Sequence, residues 1–311
     1  MKANRNTIKN LVLITLGSNS VRMSINQIDS DHTYHEVKRC REAFSLLGEK
    51  NRLSAAAFQK TEQILKKFKV IYSAYPEVKV LGVAAAALRQ AKNGREFAQR
   101  LQAETGIPVR ILSEVQEANG DYLGVKDQVK PAKYLIMDTG GGSTELVYVN
   151  GNKHYAASIP WGAISLSFGF GLTDVVRNEN WSDAVSFIGS QLNDISWFKD
   201  VDFDTPLVLL GGAHRALARI SKHLGKESQP DQIEGYEMQY DDVVDAYDYL
   251  AAMNLNEREK VPGLESRRAE VILGGLLPLY YVITRVNSEN VIFSERGVRQ
   301  GILNELIQQL K

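Results

Sequence analysis

Tyr134-Leu135-Ile136-Met137-Asp138-Thr139-Gly140-Gly141-Gly142-Ser143-Thr144-Glu145 is the stretch whose reading decides the fold. Tyr134–Met137 is an apolar run of strand length, and Glu145–Val149 is a second one. Between them lie three successive glycines, which lose much conformational entropy on folding and therefore need a reason. A tight glycine turn brings backbone N–H groups close to an anion, and Ser143 adds a hydroxyl. Asp138 and Glu145 flank the turn, and paired carboxylates there suit a hard divalent cation such as Mg²⁺.

The same unit occurs at the start of the chain. Leu11–Leu16 is an apolar strand, Gly17-Ser18-Asn19-Ser20 is the turn, and Val21–Ile28 alternates as a returning strand. Laid over one another, the two units place Thr15 on Asp138, Gly17 on Gly140, Ser20 on Ser143 and Arg22 on Glu145. By itself the first turn reads more readily as an ordinary hairpin than as a phosphate site. The repetition at long spacing points to two similar domains. Leu207–Leu210 runs into Gly211-Gly212, a third glycine turn before a helix from Ala213, where the helix dipole favours an anion.

The rest of the chain alternates strands and helices. Ser54 is an N-cap candidate for a helix over Ala55–Tyr72, with Ile64, Leu65 and Phe68 on one face. Val78–Val83 reads as a strand, and Gly94–Thr105 as a helix closed by Gly106. Val109–Leu112 is a short strand, and Ser113 caps a helix to Val125. Later, Arg267–Val286 reads as a long buried helix, Val291–Phe293 as a strand and Gly297–Lys311 as a closing helix. The class is α/β. Lys126–Lys133, polar and containing Pro131, is the candidate junction. The expected domains are 1–126 and 127–311, with the closing helix 297–311 a candidate to pack back on the first.

Composition bounds the function. The chain has 311 residues, suited to two domains, with 44% hydrophobic and 24% charged residues and a formal net charge of zero. No global electrostatic pull toward nucleic acid or membrane is expected, so any anion site must be local. The single cysteine, Cys40, excludes an internal disulfide. The apolar run at Leu11–Leu16 is too short for a signal-peptide core, and no stretch reaches membrane-spanning length. A cytoplasmic protein is expected.

Six segments together resemble the Ppx/GppA family, the exopolyphosphatases and guanosine-pentaphosphate phosphohydrolases. They are Ile14–Arg22, Ala84–Gly94, Leu112–Ala118, Ile136–Leu146, Ser158–Ala163 and Ser294–Gly301, and they span nearly the whole chain. The resemblance implies an actin-like (ribonuclease-H-like) duplicated two-domain fold with an inter-domain cleft. It implies Mg²⁺-dependent hydrolysis of the terminal phosphate of inorganic polyphosphate or of a phosphorylated guanine nucleotide, without nucleic acid or membrane, and a homodimer is compatible with it. Glu117 then corresponds to the general base and Arg89 to a phosphate-contacting cation. Gly17, Ser18, Asn19, Ser20, Gly140, Gly141, Gly142, Ser143, Gly211 and Gly212 correspond to the phosphate-binding turns, and Asp138 and Glu145 to the metal ligands.

The chain also departs from the family pattern. Thr15 stands where the family has an aspartate, Ala85, Ala86 and Ala213 where it has hydroxyls, and Leu46 where it has an arginine. A hydroxyl is a poor Mg²⁺ ligand beside a carboxylate. Weakened hydrolysis is the first expectation and binding without turnover the second. A sugar or acetate kinase of the same fold is a weaker third, since no kinase substrate motif is visible. His214, beside Gly211-Gly212, reads as a polar loop residue. The helix face Lys66-Lys67-Lys69 reads as solvated, and Trp161, Tyr280 and Tyr281 as core or interface.

Overall fold

The computed structural model describes residues 8–18, 20–44, 46 and 52–309. Two compact units emerge: residues up to Gln116 together with those from Ile302, and Glu117–Gly301. The division falls inside a helix, not in the polar stretch 126–133 where the sequence suggested it. Pro131 and its polar neighbours make an ordinary helix-to-strand connection within the second unit.

The first unit opens with β1 (Asn10–Leu16), β2 (Ser20–Ile28) and β3 (Tyr34–Ala43). Then come α1 (Ala55–Tyr72), β4 (Val78–Ala84), α2 (Ala86–Gln90), α3 (Gly94–Thr105) and β5 (Val109–Ile111). The sheet order is β3-β2-β1-β4-β5. β1 sits at its centre, antiparallel to β2 and parallel to β4, which is why Leu11–Ile14 at its middle is an apolar run. β3 is an edge strand carrying Lys38, Arg39 and Arg41, charges that discourage a further strand from pairing. Ser54 caps α1, its hydroxyl accepting from Ala57 N at 3.0 Å. Phe58, Ile64, Leu65 and Phe68 of α1 are buried at helical spacing, each contributing roughly 1.5–3 kcal/mol. Gly106 closes α3 at φ +73°, a left-handed turn that glycine makes without strain.

α4 (Glu114–Val125) crosses the division, its first turn capped reciprocally by Ser113 and Gln116 at 3.2 and 3.0 Å. The second unit continues with β6 (Lys133–Thr139), β7 (Thr144–Asn150), β8 (Lys153–Ile159), α5 (Ala163–Gly169) and α6 (Asn178–Asn193). β9 (Leu207–Leu210), α7 (Gly211–Leu224), β10 (Glu237–Gln239), α8 (Tyr240–Ala251) and α9 (Leu255–Arg258) follow. α10 (Ile272–Val286), β11 (Asn290–Phe293) and α11 (Val298–Gln308) complete the chain. From Ile302 on, α11 groups with the first unit, where Glu305 meets Arg110 through two 3.2 Å bonds and Asn304 accepts from Tyr34.

The second sheet, β10-β11-β9-β6-β7-β8, repeats the first around its centre. β6 is antiparallel to β7 and parallel to β9, as β1 is to β2 and β4. The repeat holds residue by residue. Asp138 pairs with Glu145 across the hairpin, and Thr15 pairs with Arg22. Gly140 N donates to Ser143 O at 2.9 Å, and Gly17 N donates to Ser20 O at 3.0 Å.

Alternation along the strands divides the second unit's core. Leu135, Met137, Leu146, Leu207 and Leu209 face a large cluster with α5, α6, α7, α8 and α10. Tyr134, Ile136, Val147, Val149, Val208 and Leu210 face Ala118 and Val125 of α4. Trp161 is buried in the larger cluster, and Tyr280 packs against Trp181 and Tyr247, as core aromatics do.

Two helix starts differ from the sequence reading by two residues or more. α10 begins at Ile272 rather than Arg267, because Arg268 N and Ala269 N close short i+3 turns onto Glu265 O and Ser266 O. α7 begins at Gly211, two residues before Ala213. Gly211 adopts φ +89°, which turns strand into helix within one residue. His214 is consequently in the first turn of a helix and fully buried, not in a polar loop. Lys66 and Lys67 pair with Glu62 and Glu42, and Lys69 donates to Thr105 O, so this face is locally neutralised.

Candidate active site

The second unit gathers four carboxyl side chains through two backbone features. The first is a close crossing of α4 with the start of α11. A Cβ on Gly124 would lie 2.3 Å from Gly297 O, and one on Gly301 would lie 2.0 Å from Gly120 O. Only bare glycine backbone allows this approach. Asp121, between Gly120 and Gly124, accepts a hydrogen bond from Val298 N at 2.7 Å through Oδ1. It is 0% exposed, and among the described residues its Oδ2 has no hydrogen-bond partner. Glu117, one helical turn earlier and on the same face, is also buried.

The second feature is the β6–β7 hairpin, which sets Asp138 opposite Glu145. Glu145 is buried, and its Oε1 accepts from Ser158 Oγ at 2.7 Å. The Ser143 side chain also favours the charged form of this carboxyl. Asp138 lies against Gly211, where a Cβ would meet its Oδ1 at 2.4 Å. A Cβ on Gly297 would lie 3.1 Å from Asp121 Oδ1 and 4.0 Å from Asp138 Oδ2, so those two carboxyls flank one bare Cα.

The four groups act electrostatically as one set. Burial pushes the Asp121 carboxyl well above the usual range, and the charges of Asp138, Glu145 and Glu117 push it further. Burial does the same to Glu145, followed by Glu117 and Asp138, against the opposing bonds from Ser158 and Ser143. Arg215 of α7 is the cation coupled to this set. Burial works against its charge, and Asp138, Glu295 and Asp121 favour it. His214 serves a different purpose. Its Nδ1–H donates to Leu210 O at 2.5 Å, and burial lowers its pKa to about 4, so the ring is neutral at pH 7 and anchors the helix.

The first unit presents different chemistry at the equivalent register. Thr15 and Arg22 stand where Asp138 and Glu145 stand in the second. Ser20 Oγ accepts from Arg22 Nε at 3.1 Å, and Ser18 O accepts from Leu46 N at 2.9 Å. Asn19 lies outside the described residues. Arg89 is on α2, where Nη1 donates to Leu112 O at 3.2 Å and Nε is 3.9 Å from the half-exposed Glu114 carboxylate. Ala85 and Ala86 begin that helix, with no side-chain cap.

Of the residues singled out in the sequence, Glu117, Asp138, Glu145, Gly140–Ser143 and Gly211 are brought together in the second unit. Gly212 is beside them, with Arg268's guanidinium packed where its Cβ would be. Gly17–Ser20 and Arg89 belong to the first unit. Asp121 and Arg215 were not anticipated. Asp121's spacing of four from Glu117, between two glycines four apart, was the available signal. Arg215 gave none.

Among the described residues, no three His, Cys, Asp or Glu side chains converge as direct ligands of one metal ion. The donor set nonetheless fits Mg²⁺. That ion prefers carboxylate oxygen, takes one or two carboxylates and keeps several of its waters. A buried carboxyl oxygen without a partner, Asp121 Oδ2, stands within the same charge cluster.

A duplicated strand–glycine turn–strand unit, in two sheets of matching topology with a buried acidic cluster beside one turn, defines an actin-like two-domain protein. Residues 24–310 match the model of the Ppx/GppA phosphatase family, and the chain belongs to that family. It is similar over its length to solved structures. One is an exopolyphosphatase from Cytophaga hutchinsonii ATCC 33406, with a TM-score of 0.88, 23% identity, and 97% of this chain and 99% of that one covered. Another is the Aquifex aeolicus member of the Ppx/GppA family, with a TM-score of 0.81, 28% identity, and 96% and 98% covered. No described helix is long and apolar enough to cross a membrane.

Proposed function

We propose that this chain is an exopolyphosphatase that hydrolyses the terminal phosphate of inorganic polyphosphate with Mg²⁺. The observation that carries the reading is the set of buried Glu117 and Glu145 with half-buried Asp138 beside the Gly140–Ser143 turn. Phosphoryl transfer to water asks a protein for positioning, charge neutralisation and an oriented nucleophile. Asp138 and Glu145 would hold Mg²⁺, which when bound neutralises charge on the phosphate oxygens. Gly140 N is committed to Ser143 O, which closes the turn. The N-terminus of the 14-residue α7, at Gly211-Gly212, adds a favourable dipole for an anion. Glu117 would orient the attacking water and take its proton.

One observation favours a second reading, a relative that binds polyphosphate or a phosphorylated guanine nucleotide without turning it over. The first unit's hairpin pairs a hydroxyl and a cation, Thr15 and Arg22, where the second pairs two carboxylates. Orthophosphate release from polyphosphate and from guanosine pentaphosphate, at equal concentrations of terminal phosphate, separates the readings. Faster release from polyphosphate is expected. Release from the nucleotide alone reassigns the substrate, and tight binding of polyphosphate with no release from either establishes the second reading.

A further inference from the structure

Asp121 is held in place by contacts that leave half of its carboxyl unused. Its backbone is fixed by the crossing of α4 and α11, where Gly120 and Gly124 meet Gly301 and Gly297. Oδ1 accepts from Val298 N, the first residue of α11, and so caps that helix. Oδ2 is fully buried and has no hydrogen-bond partner among the described residues. An unsatisfied buried carboxyl oxygen is costly, and among the described residues three carboxyl neighbours stand against it with Arg215 as the cation of the set. A purely structural cap needs one acceptor oxygen, and an uncharged side chain would supply it at lower cost.

We propose that Asp121 is a positioning residue of the divalent-cation site, its Oδ2 accepting a hydrogen bond from a water of the bound ion. The inference rests on the reading that Asp138 and Glu145 hold Mg²⁺. A role through water suits the geometry, since no three of these side chains converge directly on one ion and Oδ1 is already engaged. It also suits Mg²⁺, which gives up its waters reluctantly. Outer groups of this kind orient the ligand shell and commonly govern affinity by about 10–100-fold.

Asp121→Asn separates this role from capping. The amide oxygen still accepts from Val298 N, whereas the second position becomes a donor that repels a metal-bound water's proton. The measurement is substrate-free Mn²⁺ binding by electron paramagnetic resonance, with Mg²⁺ competition, alongside Tm without metal. Expected for Asp121→Asn is a Tm no lower than wild type and an affinity about 10–100-fold weaker. Wild-type binding with an unchanged affinity in Asp121→Asn overturns this inference and leaves the metal reading intact. No binding by wild type, with Asp138→Asn as the matching control, overturns both. If Asp121→Asn does not fold, Asp121→Ser retains an oxygen acceptor and is held to the same affinities.

Discussion

Glu117→Gln is expected to lower kcat for orthophosphate release from polyphosphate by about 10²–10⁴-fold, with KM unchanged. The substitution keeps the size and shape of the side chain and removes its capacity to take a proton. Glu117 is buried on α4 beside Asp121, and its charge is felt by both Asp121 and Glu145. Removing that charge eases the repulsion in the cluster, so the variant should be no less stable than wild type. Phosphate binding, assigned to the turns rather than to Glu117, should persist. This combination is diagnostic: retained affinity, retained stability and lost turnover. A Glu117→Gln protein with wild-type kcat would place the base elsewhere.

Gly301→Ala is expected to cost stability and turnover together. Its Cβ would sit 2.0 Å from Gly120 O, a contact with backbone that no rotamer change relieves. The helices must separate, at about 3 kcal/mol or more, near the upper end for overpacking. Separation moves Val298 N away from Asp121 and shifts the α4 segment that carries Glu117. A displacement of about 1 Å in catalytic groups can cost on the order of 10² in rate, so the folded fraction should be impaired as well. Gly169→Ala is the control. Nothing lies within 4 Å of its Cβ, and it should behave as wild type in both measurements. Equal behaviour of Gly301→Ala and Gly169→Ala would show that the helix crossing does not hold the site.

Much of this architecture is legible in the sequence because its signals are local. The glycine turns at Gly17 and Gly140 announce two copies of one hairpin, and the copies agree to the residue, Thr15 with Arg22 and Asp138 with Glu145. Ser54 and Gly106 mark helix ends because a cap is a property of one residue and its near neighbours. The division of the chain was not legible. A polar, proline-containing stretch resembles a linker, yet the units part within α4, where contacts remote in sequence decide membership. The edge strands β3 and β8 escaped notice because solvent-facing polar residues obscure the apolar alternation of a strand.

The site was half legible for the same reason. Asp138 and Glu145 flank a conspicuous turn, so their partnership follows from the hairpin. Asp121 is drawn in by the helix crossing, and its only signal in the sequence is its place between Gly120 and Gly124, four residues from Glu117. Arg215 sits in an amphipathic helix like many surface arginines, and only its coupling to Asp138, Glu295 and Asp121 separates it from them. Gly211 and Gly212 looked like a loop. They are instead the first turn of α7, with Asp138 seated against Gly211.

Under the proposed function, this acidic cluster runs a metal-dependent hydrolysis at the end of a phosphate chain. The most direct measurement is orthophosphate release from long-chain polyphosphate by the wild-type protein, with Mg²⁺ and after its removal by a chelator. Release with Mg²⁺, its loss on chelation and its return when Mg²⁺ is restored are expected. A well-folded protein that binds polyphosphate and releases no phosphate at any Mg²⁺ concentration would contradict the proposed function.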